Sequence, residues 1–142
     1  MKRFLAAVVA VTTALALTAC GSSSTNTTTD DKSAESTDDT TYKIGVLQLT
    51  QHAALDKANE GFIAALDESG IKYEVDQQNA SGEQSACQTI AEKLVNDGND
   101  LIYAIATPAA QAVAGVTSEI PIVLSAVTDP AESGLVASND AP

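Results

Sequence analysis

The stretch DLIYAIATPAAQAVAGVTSEIPIVLSAV, residues 100–127, decides the fold of this chain. Its residues 101–106 are all apolar or aromatic, which is typical of a strand that is buried on both faces of a parallel sheet. Pro108 suits the first turn of a following helix of small apolar residues, and Pro121 opens a second apolar segment at 122–127. The stretch therefore predicts a central strand, a crossover helix and a second parallel strand.

The residues before this stretch repeat the same alternation of strand and helix. The segment KIGVLQL, residues 43–49, predicts a first strand, and apolar residues at helical spacing from Ala54 onward predict a helix that ends at Gly70. The segment IKYEVDQQ, residues 71–78, alternates apolar and polar side chains, which predicts a half-buried strand near a sheet edge.

The second helix is predicted to begin at Ser81, whose hydroxyl would form a capping box with Gln84, and to end at Asp97 and Gly98. The whole pattern predicts an α/β domain at residues 42–142, with a parallel sheet, flanking helices and the strand order 2-1-3-4. Ligands of such sheets bind beyond the carboxyl ends of the strands, at the switch point between the first and third strands.

Three predicted loops at the carboxyl ends of strands are rich in hydroxyls, amides and small residues. They are residues 48–52, 106–109 and 125–129. Thr107 precedes a helix whose unpaired N–H groups and positive dipole end suit an anion such as a carboxylate. Since the chain has no arginine after residue 3, hydroxyl groups and backbone amides are the donors that remain for this task. The three loops together predict a binding site for a small polar ligand.

Each polar residue of these loops also has a local structural interpretation. Thr107 could cap its helix, Asp129 could turn the chain with Pro130, and His52 could cap a helix or form a local hydrogen bond. For any one residue the two interpretations stay open. Polar groups at every strand end favour the binding site.

Catalysis is the weaker hypothesis. Ser125, His52 and Asp129 could converge as a nucleophile, a base and an orienting acid, but Ser125 lies in LSAV and not in a G-x-S-x-G elbow. The chain has no phosphate-binding GxxxxGK[ST] loop and no G-x-G-x-x-G motif. One histidine and one free cysteine, Cys87, do not suffice for a metal site, and we expect Cys87 to be a small buried side chain. We therefore predict a binding protein without catalytic residues, cofactor or metal.

The amino terminus predicts an export signal. Two basic residues precede a mostly apolar run at 4–17, and the residues LTAC, 17–20, resemble a bacterial lipobox. The resemblance implies that residues 1–19 are a lipoprotein signal peptide and that Cys20 receives lipid, palmitate included. Residues 20–41, rich in Ser, Thr and Asp, would then be a flexible tether to the extracytoplasmic face of the bacterial cell membrane. The alternative is an ordinary secretory signal followed by a cysteine.

Charge limits the class of partner. The net charge of −12 argues against nucleic acid and against adsorption to anionic lipid, because both select clustered Lys or Arg. The lipid on Cys20 would have to provide the contact with the membrane. Residues 42–142 suffice for one domain of ordinary size.

Three segments resemble the ABC-transporter solute-binding lipoproteins of the tryptophan/tyrosine-binding type, which have the type I periplasmic-binding fold. They are GVLQLTQHAALDKANEGFIAALDESG (45–70), NASGEQSACQTIAEKLVNDGNDLIYAIATPAAQAV (79–113) and IPIVLSAVTDP (120–130). The chain departs from the family's pattern at Ala53, where proline is expected. The resemblance implies one lobe of a two-lobed clamp that closes on a small ligand, with an aromatic or other amino acid expected. It also implies an ABC permease and its ATPase as partners.

The resemblance also implies which residues contact the ligand. Gln48, Thr50 and His52 would lie beside it. Thr107 and Ala109 would face its carboxylate, and Thr128 and Asp129 its amino end. The third loop also places Ser125 at the site. Because members of the family are longer, we expect an N-terminal portion whose residues 42–142 alone bind ligand weakly or not at all.

Two alternatives remain at this point: a sugar-binding or sensory relative on the same fold, and a surface-anchored hydrolase. Sugar sites commonly use aromatic platforms, and no aromatic residue lies in the three loops. This favours an amino acid as the ligand.

Overall fold

The sheet has the predicted topology. A computed structural model describes residues 40–140, which form four parallel strands in the order β2-β1-β3-β4. The strands are β1 (Thr41–Gln48), β2 (Lys72–Asn79), β3 (Leu101–Ile105) and β4 (Ile122–Ser125), and the helices are α1 (Ala53–Ser69), α2 (Gln84–Asn96) and α3 (Thr107–Val116). The α/β class, the strand order and the central position of β3 are confirmed. The predictions for the signal peptide and Cys20 lie outside the described residues, as does nearly all of the tether.

Helices pack on both faces of the sheet, but unequally. Alternation along β1 turns Val46 toward α1 and Leu47 toward α2 and α3. The α2 and α3 side contains the larger cluster of buried side chains, including Leu94 and Val113, whereas no residue of α1 is fully buried. On the α1 side, Val123 of β4 remains 39% exposed. The domain therefore has its main core on one face of the sheet.

Cys87 belongs to this core. Its side chain is fully buried on α2 among apolar neighbours, and burial raises the pKa of its thiol. The prediction that Cys87 acts as a small buried side chain is confirmed.

Two predicted boundaries are wrong. The helix α2 begins at Gln84, three residues after the predicted start, and its N-cap Glu83 makes no side-chain capping bond. Ser81 does not form a capping box, because it has φ 54° and its N–H donates to Asn79 Oδ1 over 2.8 Å. The strand β4 ends at Ser125 because Ala126 also has φ 54°, which is incompatible with an extended strand.

No helix within residues 40–140 combines the length and the apolar character that a membrane span requires.

Candidate functional site

The loops that follow the four strands meet at one edge of the sheet, which we call the carboxyl edge (residues 48–52, 79–83, 105–109 and 125–129). Main-chain hydrogen bonds also join the first residues after neighbouring strands. The N–H of Leu49 donates to Ile105 O over 3.2 Å, and the N–H of Ala106 donates to Ser125 O over 2.9 Å. The three loops predicted from the sequence are therefore adjacent.

A fourth loop, between β2 and α2, was missing from the predicted site. The N–H of Gly82 donates to Leu49 O over 2.8 Å, and a Cβ on Gly82 would lie 3.9 Å from Thr50 Oγ1. The turn residues NASG at 79–82 were a usable signal for this loop, because Asn, Ser and Gly are typical of tight turns. This loop supports the loop after β1 from the side.

Backbone strain is concentrated at the carboxyl edge. Within residues 40–140, the non-glycine residues with positive φ are Ser81 (54°), Ala106 (84°) and Ala126 (54°), and each follows a strand. Alanine avoids this region, so the sequence contained no signal for the two alanine positions. Strained residues of this kind cluster at binding and active sites, where the surrounding structure holds them in place. Their distribution is independent support for a site at this edge.

Gln48 is the most buried polar residue of the edge, with 4% exposure at the end of β1. Its Nε2 donates to Thr50 O over 2.8 Å and to Asp56 Oδ1 over 2.6 Å. Asp56 lies in the first turn of α1, where the positive end of the helix dipole favours a carboxylate. Sequence reasoning missed Asp56, because it lies outside the loops, although acids in a first turn are a known helix signal.

His52 caps α1, as its local interpretation expected. Its Nδ1 accepts from the N–H of Ala54 over 3.2 Å, and its carbonyl accepts from the N–H of Asp56 over 2.8 Å. The ring is exposed. This contact requires an unprotonated Nδ1, and it leaves the other edge of the ring directed away from the cap.

Thr107 joins two of the loops. Its Oγ1 accepts from the N–H of Thr128 over 3.3 Å, and this contact leaves its hydroxyl hydrogen to donate elsewhere. Ala109 is buried as a whole residue in the cluster beneath α3, so neither its side chain nor its backbone N–H is open to a ligand in this structure. Pro108 has no N–H, which leaves few donors at the start of α3.

Asp129 is held by its own loop. Its Oδ1 accepts from the N–H of Glu132 over 3.0 Å and from Nδ2 of Asn139 over 2.9 Å. The hydrogen bond from Glu132, followed by that from Asn139, holds the pKa of the Asp129 carboxyl below its usual value. The carboxylate therefore stays ionised at neutral pH.

The hydrolase constellation receives no support from the contacts. Ser125 is half-buried at the end of β4, while His52 bonds to Ala54 and Asp129 bonds to its own turn. Among residues 40–140, no hydrogen bond joins any two of these three side chains. The same residues contain no group of three His, Cys, Asp or Glu side chains that could hold a metal ion.

Comparison with known proteins identifies the family. Residues 43–142 match the family described as ABC transporter substrate binding protein. The chain belongs to this family. The chain is 49% identical over 113 residues to the Tyrosine-binding protein of Clostridioides difficile, a match that covers 76% of the chain and 33% of that relative. The resemblance inferred from the three sequence segments is confirmed, and the family is one of binding proteins rather than of enzymes.

Solved structures of substrate-binding proteins share the fold. A ligand-free, open structure of a substrate-binding protein with adhesive properties from Clostridium difficile matches with 44% identity and a TM-score of 0.67, covering 68% of this chain and 34% of that one. An ABC domain in complex with L-Trp from Streptococcus pneumonia matches with 41% identity and a TM-score of 0.67, covering 70% and 35%. The chain thus spans about a third of the length of the relatives it matches.

Proposed function

We propose that this chain is the membrane-anchored solute-binding component of an ABC importer. We further propose that its carboxyl edge forms one side of a site for an amino acid, with an aromatic side chain favoured. The observation that carries the proposal is the convergence of the strand-end loops at one strained, polar edge, in a chain that belongs to a substrate-binding family. The relatives named for tyrosine binding and solved with L-Trp support the choice of ligand.

The carboxyl edge contains a hydrogen-bond donor for the carboxylate of an amino acid and an acceptor for its amino group. The hydroxyl of Thr107 suits a carboxylate, since it lies in the first turn of α3. Ala109 lies in the same turn and would contact the carboxylate only if that turn opens on binding. Asp129, with Thr128 beside it, suits the amino end because its carboxylate is ionised. The loop that contains Gln48 and the neighbouring edge residues Thr50, His52 and Ser125 would lie beside the ligand.

A second lobe would complete the site. The carboxyl edge is open, and two surface depressions of the described domain lie elsewhere, one at the amino ends of β1 and β2 and one between α1 and β2. We propose that residues 42–142 form the N-terminal lobe of a clamp and bind ligand weakly alone. The permease and the ATPase of the importer would then receive the closed clamp.

The sugar-binding alternative is disfavoured by the positions of the aromatic rings. Phe62 of α1 stacks on Tyr103 of β3, and the Tyr73 hydroxyl donates to Asp67 near the end of α1. Tyr42 lies at the amino end of β1. Among residues 40–140, therefore, no aromatic side chain lies in the loops of the carboxyl edge.

The anchoring part of the proposal concerns Cys20. We propose that residues 1–19 are removed as a signal peptide, that Cys20 is lipidated and that residues 20–41 tether the domain to the extracytoplasmic face of the membrane. Mass spectrometry of the amino-terminal peptide of the exported protein tests this. Diacylglyceryl and acyl masses on Cys20, absent from a Cys20→Ser variant, are expected. An unmodified cysteine at the amino terminus would contradict the anchor.

The binding part is tested by titrating the ¹⁵N-labelled chain with L-tryptophan, L-tyrosine and glucose up to millimolar concentration. We expect both amino acids, but not glucose, to shift amide resonances of the carboxyl edge. Thr107→Val should reduce the shifts, whereas Thr89→Val, on the exposed face of α2, should not. Shifts with glucose alone would favour the sugar-binding relative, and no shift with any of the three would overturn the proposal that this lobe binds ligand weakly alone. A dissociation constant in the low micromolar range would contradict the need for a second lobe.

A further inference from the structure

We propose that Asp56 is a positioning residue of this site: it orients the Gln48 side chain so that the carbonyl oxygen Oε1 accepts a hydrogen bond from the ammonium group of the ligand. The inference rests on the proposed amino-acid binding. It adds a residue outside the loops and assigns a specific atom of Gln48 to a specific group of the ligand.

The orientation of the Gln48 amide follows from the chemistry of its partners. Both Thr50 O and Asp56 Oδ1 are acceptors, so only the NH₂ group of Gln48 can face them. A reversed amide would place Oε1 against a carbonyl and a carboxylate and would leave buried groups unpaired. The bond to Asp56 is charge-assisted, which makes it the stronger of the two constraints.

Asp56 is itself held in place. It lies in the first turn of α1, and its N–H donates to His52 O over 2.8 Å. The dipole of α1 stabilises its negative charge there. The Asp56 carboxylate is therefore held where its Oδ1 accepts from the Gln48 side chain.

The remaining acceptor of Gln48 is its carbonyl oxygen, Oε1. Within residues 40–140, no group donates to Oε1, and the one fully buried side-chain atom found there without a partner is Asn59 Oδ1. Oε1 therefore keeps contact with solvent, although the residue as a whole is 4% exposed. An oriented acceptor on an otherwise buried side chain is suited to a donor that enters from the edge.

The position of Gln48 agrees with this role. It ends β1, pairs with Ile105 at the end of β3 and with Asn79 at the end of β2, and so lies at the switch point of the sheet. The start of α3 follows β3 directly and presents the Thr107 hydroxyl as a donor for a carboxylate. An acceptor after β1 and a donor after β3 match the two charged ends of an amino acid.

The first experiment needs no ligand. In ¹⁵N spectra of the chain, the Gln48 side-chain protons should exchange slowly with water. Asp56→Ala should bring them to the values of exposed glutamines, and Asp56→Asn, which keeps an acceptor, should give an intermediate result. Glu60→Ala, on the exposed part of the same helix, serves as the control and should change nothing. Unaltered Gln48 protons in a folded Asp56→Ala variant would overturn the inference.

The second experiment compares L-tryptophan with indole-3-propionate, which keeps the ring and the carboxylate but lacks the ammonium group. We expect Asp56→Ala and Gln48→Ala each to weaken L-tryptophan binding about tenfold and to change indole-3-propionate binding less than about twofold. The double variant should be no weaker than Gln48→Ala, because Asp56 acts through Gln48.

Two other outcomes are distinguishable. Equal losses for both compounds would show that Asp56 only supports the loop, and would overturn the inference while the proposed function stands. A wild-type chain that binds neither compound would overturn the weak binding proposed for this lobe, and the assignment of Oε1 to the ammonium group with it.

Discussion

The ring of Phe62 in α1 stacks on the ring of Tyr103 in β3, with centroids 4.1 Å apart and planes inclined by 21°. The Tyr103 hydroxyl also donates to Ala58 O of α1 over 3.3 Å. Because no residue of α1 is fully buried, the position of this helix depends on half-buried contacts such as this pair. The pair therefore holds the helix that contains Asp56 against the central strand.

Replacing Phe62 should test this dependence. We expect Phe62→Ala to lower the free energy of unfolding by about 2–3 kcal/mol, somewhat less than for a fully buried phenylalanine. Tyr103→Phe should cost about 0.5–1.5 kcal/mol, since it removes one hydrogen bond and keeps the stack. Urea denaturation of the chain measures both. A Phe62→Ala variant as stable as the wild type would show that α1 is held by other contacts.

Two glycine-to-alanine substitutions should have opposite signs. A Cβ on Gly45 would lie 3.1 and 3.2 Å from the methyl carbons of Leu94 and 3.3 Å from Asn99 Cγ, so Gly45→Ala should cost about 1–3 kcal/mol by overpacking. Gly61, within α1, has no atom within 4 Å of such a Cβ, and Gly61→Ala should stabilise the chain by about 0.5–1 kcal/mol. Thermal melts of the two variants would decide the matter, and equal shifts would contradict the packing described at Gly45.

The fold was predictable because the independent patterns in the sequence all indicate the same order of strands and helices. Apolar residues on both faces of 101–105, alternation along 72–78 and helical spacing before Gly70 each indicate one element, and parallel connections then leave few strand orders. The predicted start of α2 was wrong because a neighbouring side chain hydrogen-bonds to the residue that was expected to cap the helix. Ser81 has the residue type of a cap, but Asn79 binds its N–H first. Local competition of this kind is invisible in a pattern.

The site was predictable only in outline. Strand ends must meet at one edge, so the three loops could be placed before any contact was known. The bond between Gln48 and Asp56 depends on how α1 leaves the sheet, and the positive φ of Ala106 and Ala126 depends on the path of the chain after its strands. Neither of these has a signature in residue type.

Ala106 offers a test of the strain at the edge. Its φ of 84° and ψ of 154° lie in a region that is essentially restricted to glycine. Ala106→Gly should relieve about 1–3 kcal/mol of strain and lose about 0.5–1 kcal/mol to the entropy of the unfolded chain, for a net gain of about 1 kcal/mol. Ala114→Gly, at an exposed position within α3, is the matched control and should cost about 1 kcal/mol. A loss of stability in both variants would show that Ala106 is not strained.

Asp129 should make a pH-dependent contribution to stability. Its pKa is lower in the folded state than in the unfolded chain, because the N–H of Glu132 and the Asn139 side chain stabilise the carboxylate. The contribution is therefore complete above the unfolded pKa of about 3.9 and is lost as pH falls through the lower folded value. An NMR titration of the Asp129 carboxyl should give a midpoint below the usual value, and Asn139→Ala should raise it. A midpoint at the usual value or above would contradict these hydrogen bonds.

The unequal distribution of the core has a consequence for the response to ligand. Because α2 and α3 each contain buried residues and α1 contains none, we expect the amides of α1 to exchange with solvent through partial opening, at a lower free energy than those of the central strands. Gln48 and Asp56 connect the edge to the first turn of this weakly protected helix. A ligand bound at the edge should then slow amide exchange along the whole of α1. Binding would therefore reduce the opening of a helix as well as the motion of the loops that contact the ligand.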